Sequence, residues 1–251
     1  TVKKYWDITD FEDIQDAEEI KFKIKHIFDD AVKSQMVSDR PIGLFLSGGV
    51  DSTAICGAMS KFSNNVETFS MGFETDEESE KYNRDFEAAR ITAKHFGTNH
   101  HEFKISAQDV KNNFARALHH MDEPISNHIQ AVNLILAEQT VKSATVVLGG
   151  DGGDEVWGGY DRYYFDQLIN KVQKTPLLLR RAVLKTYLSA KGRIQDYKKF
   201  EQQSSVDRYF EFWGIKDDVL KTYLKNGVNA DIIKDHFQKQ YFTAHKNDPT
   251  G

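Results

Sequence analysis

The amino-acid sequence predicts an α/β fold: an open parallel sheet with helices on both faces, followed by a helical C-terminal extension. Short apolar runs bounded by glycine, proline or asparagine alternate with longer segments of helical periodicity, as in chains of βαβ units. Two of these runs end in glycine-rich loops, which is where open α/β sheets bind ligands. The 251 residues suffice for one such domain and an extension.

The predicted elements follow the change in hydrophobic period along the chain. Asp16 is expected to cap the first helix, and one apolar face of that helix is expected to pack on the sheet. Gly97 is expected to end the helix before the third strand. The periodicity predicts helices over residues 17–37, 53–62, 80–96, 107–120 and 131–141, and strands over 42–46, 66–73, 100–105 and 144–148.

Composition limits the classes of protein that fit. Apolar residues make up 39% of the chain and charged residues 28%. No run approaches the roughly 18 apolar residues of a membrane helix, and residues 1–6 lack the apolar core of a signal peptide. The single cysteine, Cys56, excludes an internal disulfide and is expected to be a packed residue rather than a nucleophile. We therefore expect a cytoplasmic protein.

The first glycine loop, residues 47–52, joins a short apolar strand to a helix. Its two glycines allow backbone N–H groups to approach an anion, and the helix N-terminus adds positive partial charge. The loop is not a Walker A motif, because no lysine follows the glycines until Lys61. An anion would be held here by backbone amides and serine hydroxyls.

Asp51 gives this loop a second property. Its carboxylate would repel an anion unless a metal ion lay between them, so the loop predicts a bound divalent cation. The hydroxyls of Ser47 and Ser52 are the side-chain groups that would assist the amides. The alternative is a tight strand-to-helix turn in which Asp51 and Ser52 only cap the helix.

The second glycine loop, residues 149–155, follows the predicted fourth strand. Its four glycines permit close backbone approach, and its three carboxylates can hold Mg²⁺ through oxygen ligands. The spacing does not match an EF-hand calcium loop, and a purely structural turn does not explain the clustered carboxylates. Both loops follow parallel strands, so we expect them to face one ligand from two sides.

Two other polar stretches carry weaker signals. His100 and His101 are adjacent on a predicted strand and therefore point to opposite faces, which disfavours a shared zinc ion. Residues 74–80 hold five carboxylates, but their spacing is not that of a calcium loop. A solvated loop is the better interpretation of that run.

Several segments carry a resemblance to known families. Ser-Gly-Gly-Val-Asp-Ser at 47–52 resembles the PP-loop of the ATP pyrophosphatases, which binds the pyrophosphate end of ATP. The order and spacing of further segments resemble the synthetase domain of glutamine-hydrolysing asparagine synthetases. These segments are Phe-Ser-Met-Gly-Phe at 69–73, Gly-Thr-Asn-His-His-Glu at 97–102, Asp-Glu-Pro at 122–124 and Gly-Asp-Gly-Gly-Asp-Glu-Val-Trp-Gly-Gly-Tyr at 150–160.

The resemblance implies an ATP site with Mg²⁺ on the carboxylates of Asp51 and Asp154. It also implies that Asp151 lies near the reaction centre, where many relatives have glutamate. Gly149 and Gly153 replace serines of the usual family pattern. By the same resemblance, pyrophosphate would lie on Ser47, Gly48, Gly49, Asp51 and Ser52, and the rest of the nucleotide on the main chain around Phe45, Leu46, Met71, Gly149 and Gly150.

The chemistry that the resemblance implies is ATP-dependent amide formation. A substrate carboxylate, most simply the side chain of aspartate, attacks the α-phosphorus of ATP and gives an acyl-adenylate and pyrophosphate. Ammonia, supplied from glutamine by an N-terminal glutaminase domain, then displaces AMP and gives asparagine. That domain and the family's last segment, with a lysine and an Arg-x-Pro-Phe-Leu-Asp run, have no match here, so we expect a fragment, with a homodimer as one arrangement of the whole protein.

On this interpretation residues 1–15 are a linker from a missing domain, 16–165 are the ATP-binding core and 166–251 are a helical extension. Two alternatives stay open. One is another adenylating PP-loop enzyme that amidates a sugar acid or forms a lactam. The other is a non-catalytic nucleotide- or RNA-binding module, because residues 161–251 carry a net charge of +6, although interspersed acids favour a solvated helical surface.

Overall fold

The structure, a computed structural model, describes most of the first three quarters of the chain. The chain divides into two units, residues 1–152 and 153–251. Each unit has its own architecture. The described residues are 14–75, 78–122, 129–174 and 176–190, together with residues 3, 5, 192, 235 and 239.

Unit 1 is built on a parallel sheet. Its strands are β1 (Ile42–Phe45), β2 (Glu67–Phe73), β3 (Asn99–Ile105) and β4 (Val146–Leu148). Their order across the sheet is β3-β2-β1-β4, and every pairing is parallel. Phe45 at the end of β1 lies opposite Phe69, and Leu44 lies opposite Leu148. The parallel sheet confirms the predicted fold class.

Local sequence sets the ends of the helices in unit 1. Within the described residues these are α1 (Ala17–Gln35), α2 (Val50–Phe62), α3 (Ser79–Phe96), α4 (Ala107–His119) and α5 (Gln130–Thr140). Asp16 caps α1 as predicted, because its carboxylate accepts hydrogen bonds of 2.8 Å from the amides of Glu18 and Glu19. Gly97, with φ of 66°, ends α3 in the left-handed conformation that glycine favours.

The strand order determines which face each helix covers. The crossovers from β1 to β2 and from β2 to β3 step in one direction, whereas the connection from β3 to β4 steps back past β1. Because parallel crossovers are right-handed, α2 and α3 lie on one face of the sheet and α4 and α5 on the other. The contacts of α2 with β1 and of α5 with β2 agree with this arrangement.

The main core lies between the sheet and the helices α2 and α3. Leu44 and Leu46 from the sheet pack there with Cys56 and Met59 from α2, and all four are almost completely buried. Burial raises the pKa of Cys56 to about 11, so its thiol stays protonated. Cys56 is therefore a packed small residue, as predicted.

The prediction for helix α1 holds in part. The sequence predicts that its apolar face packs on the sheet; Val32 joins the core cluster that includes residues of β1, and α1 also packs against α2. Val32 is buried, whereas Ile27 on the predicted face is 66% exposed. Because α2 and α3 already cover this face of the sheet, only a narrow stripe of α1 reaches the core. An ion pair of 2.6 Å between Lys61 and Asp29 joins α1 and α2 at the surface.

Helix α2 begins at Val50, three residues earlier than predicted, and the other described elements of unit 1 agree with their predictions within two residues. Parts of several predictions lie outside the described residues. These parts include residues 76–77 of the acidic run and 123–128 of the loop after α4. Most of the predicted linker and most of the extension beyond residue 190 lie outside as well.

Unit 2 is helical where it is described. Its helices there are α6 (Gly153–Trp157), α7 (Asp161–Gln173) and α8 (Leu177–Ala190). Ile169 and Val172 from α7 pack with Leu184 and Leu188 from α8 in a small buried cluster. Among the described helices of both units, none is long and apolar enough to cross a membrane.

A polar cluster is buried between β2 and β3. The His100 ring nitrogens lie 2.9 Å from the Thr68 hydroxyl and 3.1 Å from the Ser70 hydroxyl, and both hydroxyl residues are buried. A third hydroxyl, that of Thr98, lies 2.8 Å from that of Thr68. Burial lowers the pKa of His100, although Glu102 at 3.7 Å opposes the shift. His100 is therefore neutral at pH 7 and bonded at both nitrogens.

The first prediction concerns this histidine. The unfolded chain takes up a proton below pH of about 6.5, whereas folded His100 resists it, so stability should fall as the pH drops through that region. The substitution His100→Gln should reduce this loss of stability, which for one proton cannot exceed about 1.4 kcal/mol per pH unit. Urea unfolding at about pH 7.5 and at about pH 5.5 measures the free energy of unfolding at each pH.

The matched control is His95→Gln, which removes an exposed histidine of α3. This variant should retain the pH dependence of the wild-type chain. An equal pH dependence in His100→Gln and in the wild-type chain would contradict the assignment of a neutral buried imidazole.

Candidate functional site

The two glycine loops leave the sheet at neighbouring strand ends. β1 lies between β2 and β4, and the sequence order of the strands reverses there. The first loop follows β1 and the second follows β4, so both begin at the carboxyl edge of adjacent parallel strands. This is the topological switch point, where open α/β sheets form their ligand crevice.

The first loop turns away from the sheet through a residue that has to be glycine. The Leu46 amide donates to the Phe69 carbonyl at 2.9 Å and extends the strand pairing by one residue. Gly48 then adopts φ of +76°. A Cβ atom at Gly48 would lie 2.6 Å from both Ala88 Cβ and the Ala89 nitrogen of α3. Backbone conformation and close contact with α3 therefore both require glycine.

Hydrogen bonds tie the first loop together. The Ser47 and Ser52 hydroxyls lie 2.9 Å apart, and the Ser47 amide donates to Ser52 Oγ at 3.3 Å. The Gly49 amide donates to Ser47 Oγ, and Ser52 Oγ donates to the Gly49 carbonyl, each at 3.3 Å. Ser47 is exposed whereas Ser52 is buried. The loop is held in one shape by its own polar groups.

Helix α2 begins at this loop with an uncapped first turn. Its N-cap residue is Gly49, which has no side chain to accept hydrogen bonds from that turn. Asp51 lies in the first turn and is half-buried. Among the described residues, no ion pair or side-chain hydrogen bond involves its carboxylate. The helix start therefore offers amide donors and one unpaired carboxylate.

The second loop packs directly on the first. A Cβ atom at Gly150 would lie 3.1 Å from both Asp51 Cβ and the Ser52 nitrogen, so a side chain there would press into the start of α2. Gly149 lies beside the exposed Asp151, whose Oδ2 would be 2.8 Å from a Cβ atom at 149. The contact through Gly150 brings the two loops together at the switch point.

Asp154 lies in unit 2, in the first turn of the short helix α6. The Gly159 amide donates to the Asp154 carbonyl at 3.0 Å. A Cβ atom at Gly159 would lie 2.0 Å from Asp154 Oδ1, so the carboxylate fits only because residue 159 has no side chain. The Tyr160 hydroxyl donates to Glu155 at 2.8 Å and helps to close this turn.

The remaining predicted site residues lie along the strands. Phe45 ends β1, and the buried Leu46 follows it. β2 continues past the end of β1, so the half-buried Met71 lies two residues beyond the Phe45–Phe69 pair. Within unit 1, the structure therefore places the predicted residues at one carboxyl edge of the sheet.

The prediction that His100 and His101 point to opposite faces of the sheet is confirmed. His100 bonds to hydroxyls on one face, whereas His101 lies 2.6 Å from Glu67 and stacks on Phe69. In the ranges that the structure describes, no group of three or more histidine, cysteine, aspartate or glutamate side chains is arranged to hold a metal ion.

Sequence reasoning missed the support that α3 gives to the first loop. The Asp85 carbonyl would lie 2.7 Å from a Cβ atom at Gly48, beside the contacts with Ala88 and Ala89. The available signal in the sequence was the pair of small residues Ala88 and Ala89 on the helix after the second strand. This pair could not be assigned to the loop before the packing of that helix was known.

The parallel sheet, with the Ser-Gly-Gly-Val-Asp-Ser loop at its switch point, defines an α/β protein with a candidate ligand crevice at the carboxyl edge of the sheet. Within that class, the chain belongs to the asparagine synthase family, because the model of that family matches residues 23–243. The match spans both units of the chain.

Individual relatives agree with this assignment. Asparagine synthetase [glutamine-hydrolyzing] 1 of Bacillus subtilis is 28% identical over 246 residues, which are 97% of this chain and 38% of the relative. A Methanocaldococcus jannaschii protein, provisionally named glutamine-hydrolyzing asparagine synthetase 2, is 34% identical over 178 residues, covering 70% of this chain and 33% of that protein. The chain thus spans about a third of the length of these relatives.

A solved structure also resembles the chain at low similarity. NMN synthetase from Francisella tularensis is 12% identical with a TM-score of 0.40, covering 86% of this chain and 99% of that chain.

The second prediction tests the contact between the loop and α3. Gly48→Ala should lower the free energy of unfolding by the cost of a left-handed non-glycine residue, of order 1–2 kcal/mol, plus about 1–3 kcal/mol for pressing Cβ into α3. Gly97→Ala is the matched control, because Gly97 is also left-handed but a Cβ atom there meets nothing within 4 Å. Urea unfolding compares the variants. Equal losses would contradict the close contact.

Proposed function

We propose that the chain binds Mg-ATP at the switch point and belongs to the synthetase part of a glutamine-hydrolysing asparagine synthetase. The observation that carries the proposal is the packing of the Gly150 loop on the first turn of α2, beside the loop that Gly48 shapes. Membership of the asparagine synthase family supports it, and the relatives' names supply the acceptor and the nitrogen donor.

The pyrophosphate end of ATP is assigned to the first loop. The amides at the uncapped start of α2 are donors with a favourable helix dipole, and Ser47 adds an exposed hydroxyl. The rest of the nucleotide is assigned to the main chain of Phe45, Leu46, Met71, Gly149 and Gly150. A side chain at residue 150 would intrude on Asp51 and Ser52, so the backbone of the second loop can lie this close to the first loop only because residue 150 is glycine.

Magnesium is assigned to Asp51 and Asp154. Carboxylate oxygens are the ligands that Mg²⁺ prefers, and it usually completes its octahedron with phosphate oxygens and water. Neither carboxylate has a described ion pair or side-chain hydrogen bond, so the chemistry of both fits a cation. When bound, Mg²⁺ would neutralise charge on the leaving pyrophosphate.

The proposed reaction is adenylation followed by amide formation. An oxygen of the aspartate side-chain carboxylate attacks the α-phosphorus of ATP, and the bond from that phosphorus to the β-phosphate oxygen breaks. Ammonia then attacks the acyl carbon, loses a proton, and displaces AMP. The loop amides would hold the pyrophosphate charge as it develops, and Asp151 is proposed to lie near the reacting carboxylate.

The wider organisation is proposed by analogy with the family. An N-terminal glutaminase domain is proposed to supply the ammonia, consistent with relatives more than twice as long as this chain that are named glutamine-hydrolyzing. We propose that residues 1–15 link the two domains, that 16–165 form the ATP-binding core, and that 166–251 are the extension. A homodimer is a further proposal.

The third prediction concerns the two proposed magnesium ligands. Asp51→Asn and Asp154→Asn should each weaken Mg-ATP binding about tenfold or more, or about 1.4 kcal/mol, because each removes a charged oxygen ligand. Isothermal calorimetry with Mg-ATP measures the dissociation constants. Asp39→Asn, an exposed carboxylate away from both loops, should bind as the wild-type chain does. Unchanged affinity in both site variants would overturn the assignment.

The fourth prediction identifies the acceptor acid. In ATP–pyrophosphate exchange by the whole encoded protein, aspartate should stimulate label exchange and glutamate or a sugar acid should not. Stimulation by another carboxylic acid would indicate a different adenylating PP-loop enzyme. Absence of exchange with every acid, in a protein that still binds Mg-ATP, would reject adenylation.

A further inference from the structure

Strand β2 extends beyond its neighbour β1 at the carboxyl edge of the sheet. β1 ends at Phe45, opposite Phe69, and the Leu46 amide adds one last hydrogen bond to the Phe69 carbonyl at 2.9 Å. β3, in contrast, pairs with β2 as far as Phe73. Residues 70–73 of β2 therefore have a described strand on one side only.

The direction of the backbone groups shows which residues of β2 face the open side. Along a strand, the N–H and C=O groups of successive residues point alternately to the two neighbouring strands. Phe69 points to β1, since its carbonyl accepts from that side, and Glu74 points to β3, since its amide donates to the Ile105 carbonyl at 2.8 Å. Met71 and Phe73 share the direction of Phe69. Their N–H and C=O groups therefore face the side that β1 leaves open.

Asn83, in the second turn of α3, takes the place of a neighbouring strand at Phe73. Its Oδ1 atom accepts from the Phe73 amide at 2.7 Å, and its Nδ2 atom donates to the Phe73 carbonyl at 3.0 Å and to the Ser79 hydroxyl at 3.2 Å. Both protons of the carboxamide are thereby used. α3 can approach this closely because residue 72 is glycine: a Cβ atom there would lie 3.0 Å from both Asn83 Oδ1 and Phe86 Cδ1.

Met71 lies between two residues whose backbone groups are satisfied. Phe69 is paired with β1 and Phe73 with Asn83, whereas none of the residues that the structure describes forms a hydrogen bond with the N–H or C=O group of Met71. The gap is one residue long and presents one donor beside one acceptor. A nucleobase edge with an adjacent acceptor and donor, such as N1 and the 6-amino group of adenine, complements this pair.

We infer that Asn83 is a positioning residue of the nucleotide subsite: it fixes the end of β2 so that the peptide groups of Met71 are presented to the base. This inference rests on the proposed nucleotide site and deepens it. It assigns control over the choice of base to a side chain whose two carboxamide protons are already bonded within the protein. Asn83 acts through Phe73, and the Ser79 hydroxyl holds its carboxamide in turn.

Calorimetry with three ligands tests this role. The ligands are Mg-ATP, Mg-pyrophosphate and the magnesium complex of purine riboside triphosphate, which lacks the 6-amino group. The wild-type chain should bind ATP roughly tenfold more tightly than the purine analogue, because the analogue leaves the Met71 carbonyl without a partner. Asn83→Ala should reduce this preference to within about twofold, because the strand end that carries Met71 is no longer fixed. Its affinity for Mg-pyrophosphate should match that of the wild-type chain.

Three results would overturn the inference. A preference for ATP that Asn83→Ala retains would remove the positioning role, and equal weakening of all three ligands would indicate a general loss of structure. A wild-type chain that binds ATP and the purine analogue equally would show that the base edge is not read at Met71.

Asn113→Ala is the matched control, since Asn113 is a half-buried asparagine of α4 that donates to the Asp109 carbonyl at 2.9 Å. This variant should keep the wild-type preference for ATP. If Asn83→Ala does not fold, Asn83→Asp takes its place, because aspartate still accepts from the Phe73 amide but cannot donate to the Phe73 carbonyl.

A ligand-free measurement separates this inference from the proposed function. In amide hydrogen exchange, the Glu74 amide, which donates to Ile105 rather than to Asn83, should lose protection in Asn83→Ala and keep it in Asn113→Ala. If the wild-type chain binds neither Mg-ATP nor Mg-pyrophosphate, the proposed function fails, and the exchange data still decide whether Asn83 fixes the end of β2. Unchanged protection of Glu74 in Asn83→Ala would reject positioning even if the chain binds both ligands.

Discussion

The contact between Gly48 and α3 is the constraint on which the site depends. The chain must turn out of β1 and enter α2 within a few residues, and it does so with a left-handed residue pressed against the backbone of α3 at Asp85 and Ala89. The loop is thereby fixed to a helix that follows the next strand. Its shape is then a property of the β1-α2-β2-α3 unit as a whole, so the loop is preorganised for the anion proposed to bind there.

Polar side chains pin the β2–β3 pair on both faces. His100 bonds to Thr68 and Ser70 on one face, and on the other Glu67 accepts from Asn99 and lies 2.6 Å from His101. Burial alone would raise the pKa of Glu67, but these hydrogen bonds hold it below its ordinary range. A one-residue slip would break both sets, so the register of β2 against β3 is strongly specified.

The sequence predicted the parts of the fold that local chemistry determines. Asp16 and Gly97 marked helix ends because capping and left-handed turns depend on one residue. The start of α2 at Val50 was missed because Gly49 replaces the polar cap that usually signals a helix start. The exposure of Ile27 and the contact of Gly150 with α2 depend on how distant segments pack, which periodicity and spacing do not contain.

The charge of the first loop bears on the proposed magnesium ion. The sequence has no lysine or arginine between Arg40 and Lys61, so no basic side chain of the first loop can neutralise a pyrophosphate. The α2 dipole contributes only partial charge, and it also stabilises Asp51, whose carboxylate would oppose the same anion. Close like charges of this kind become compatible when a divalent ion bridges them. Under the proposed function, the absence of a basic residue and the presence of Asp51 in the first turn would be two aspects of one arrangement, in which a metal ion would take the role that lysine has in a Walker A loop.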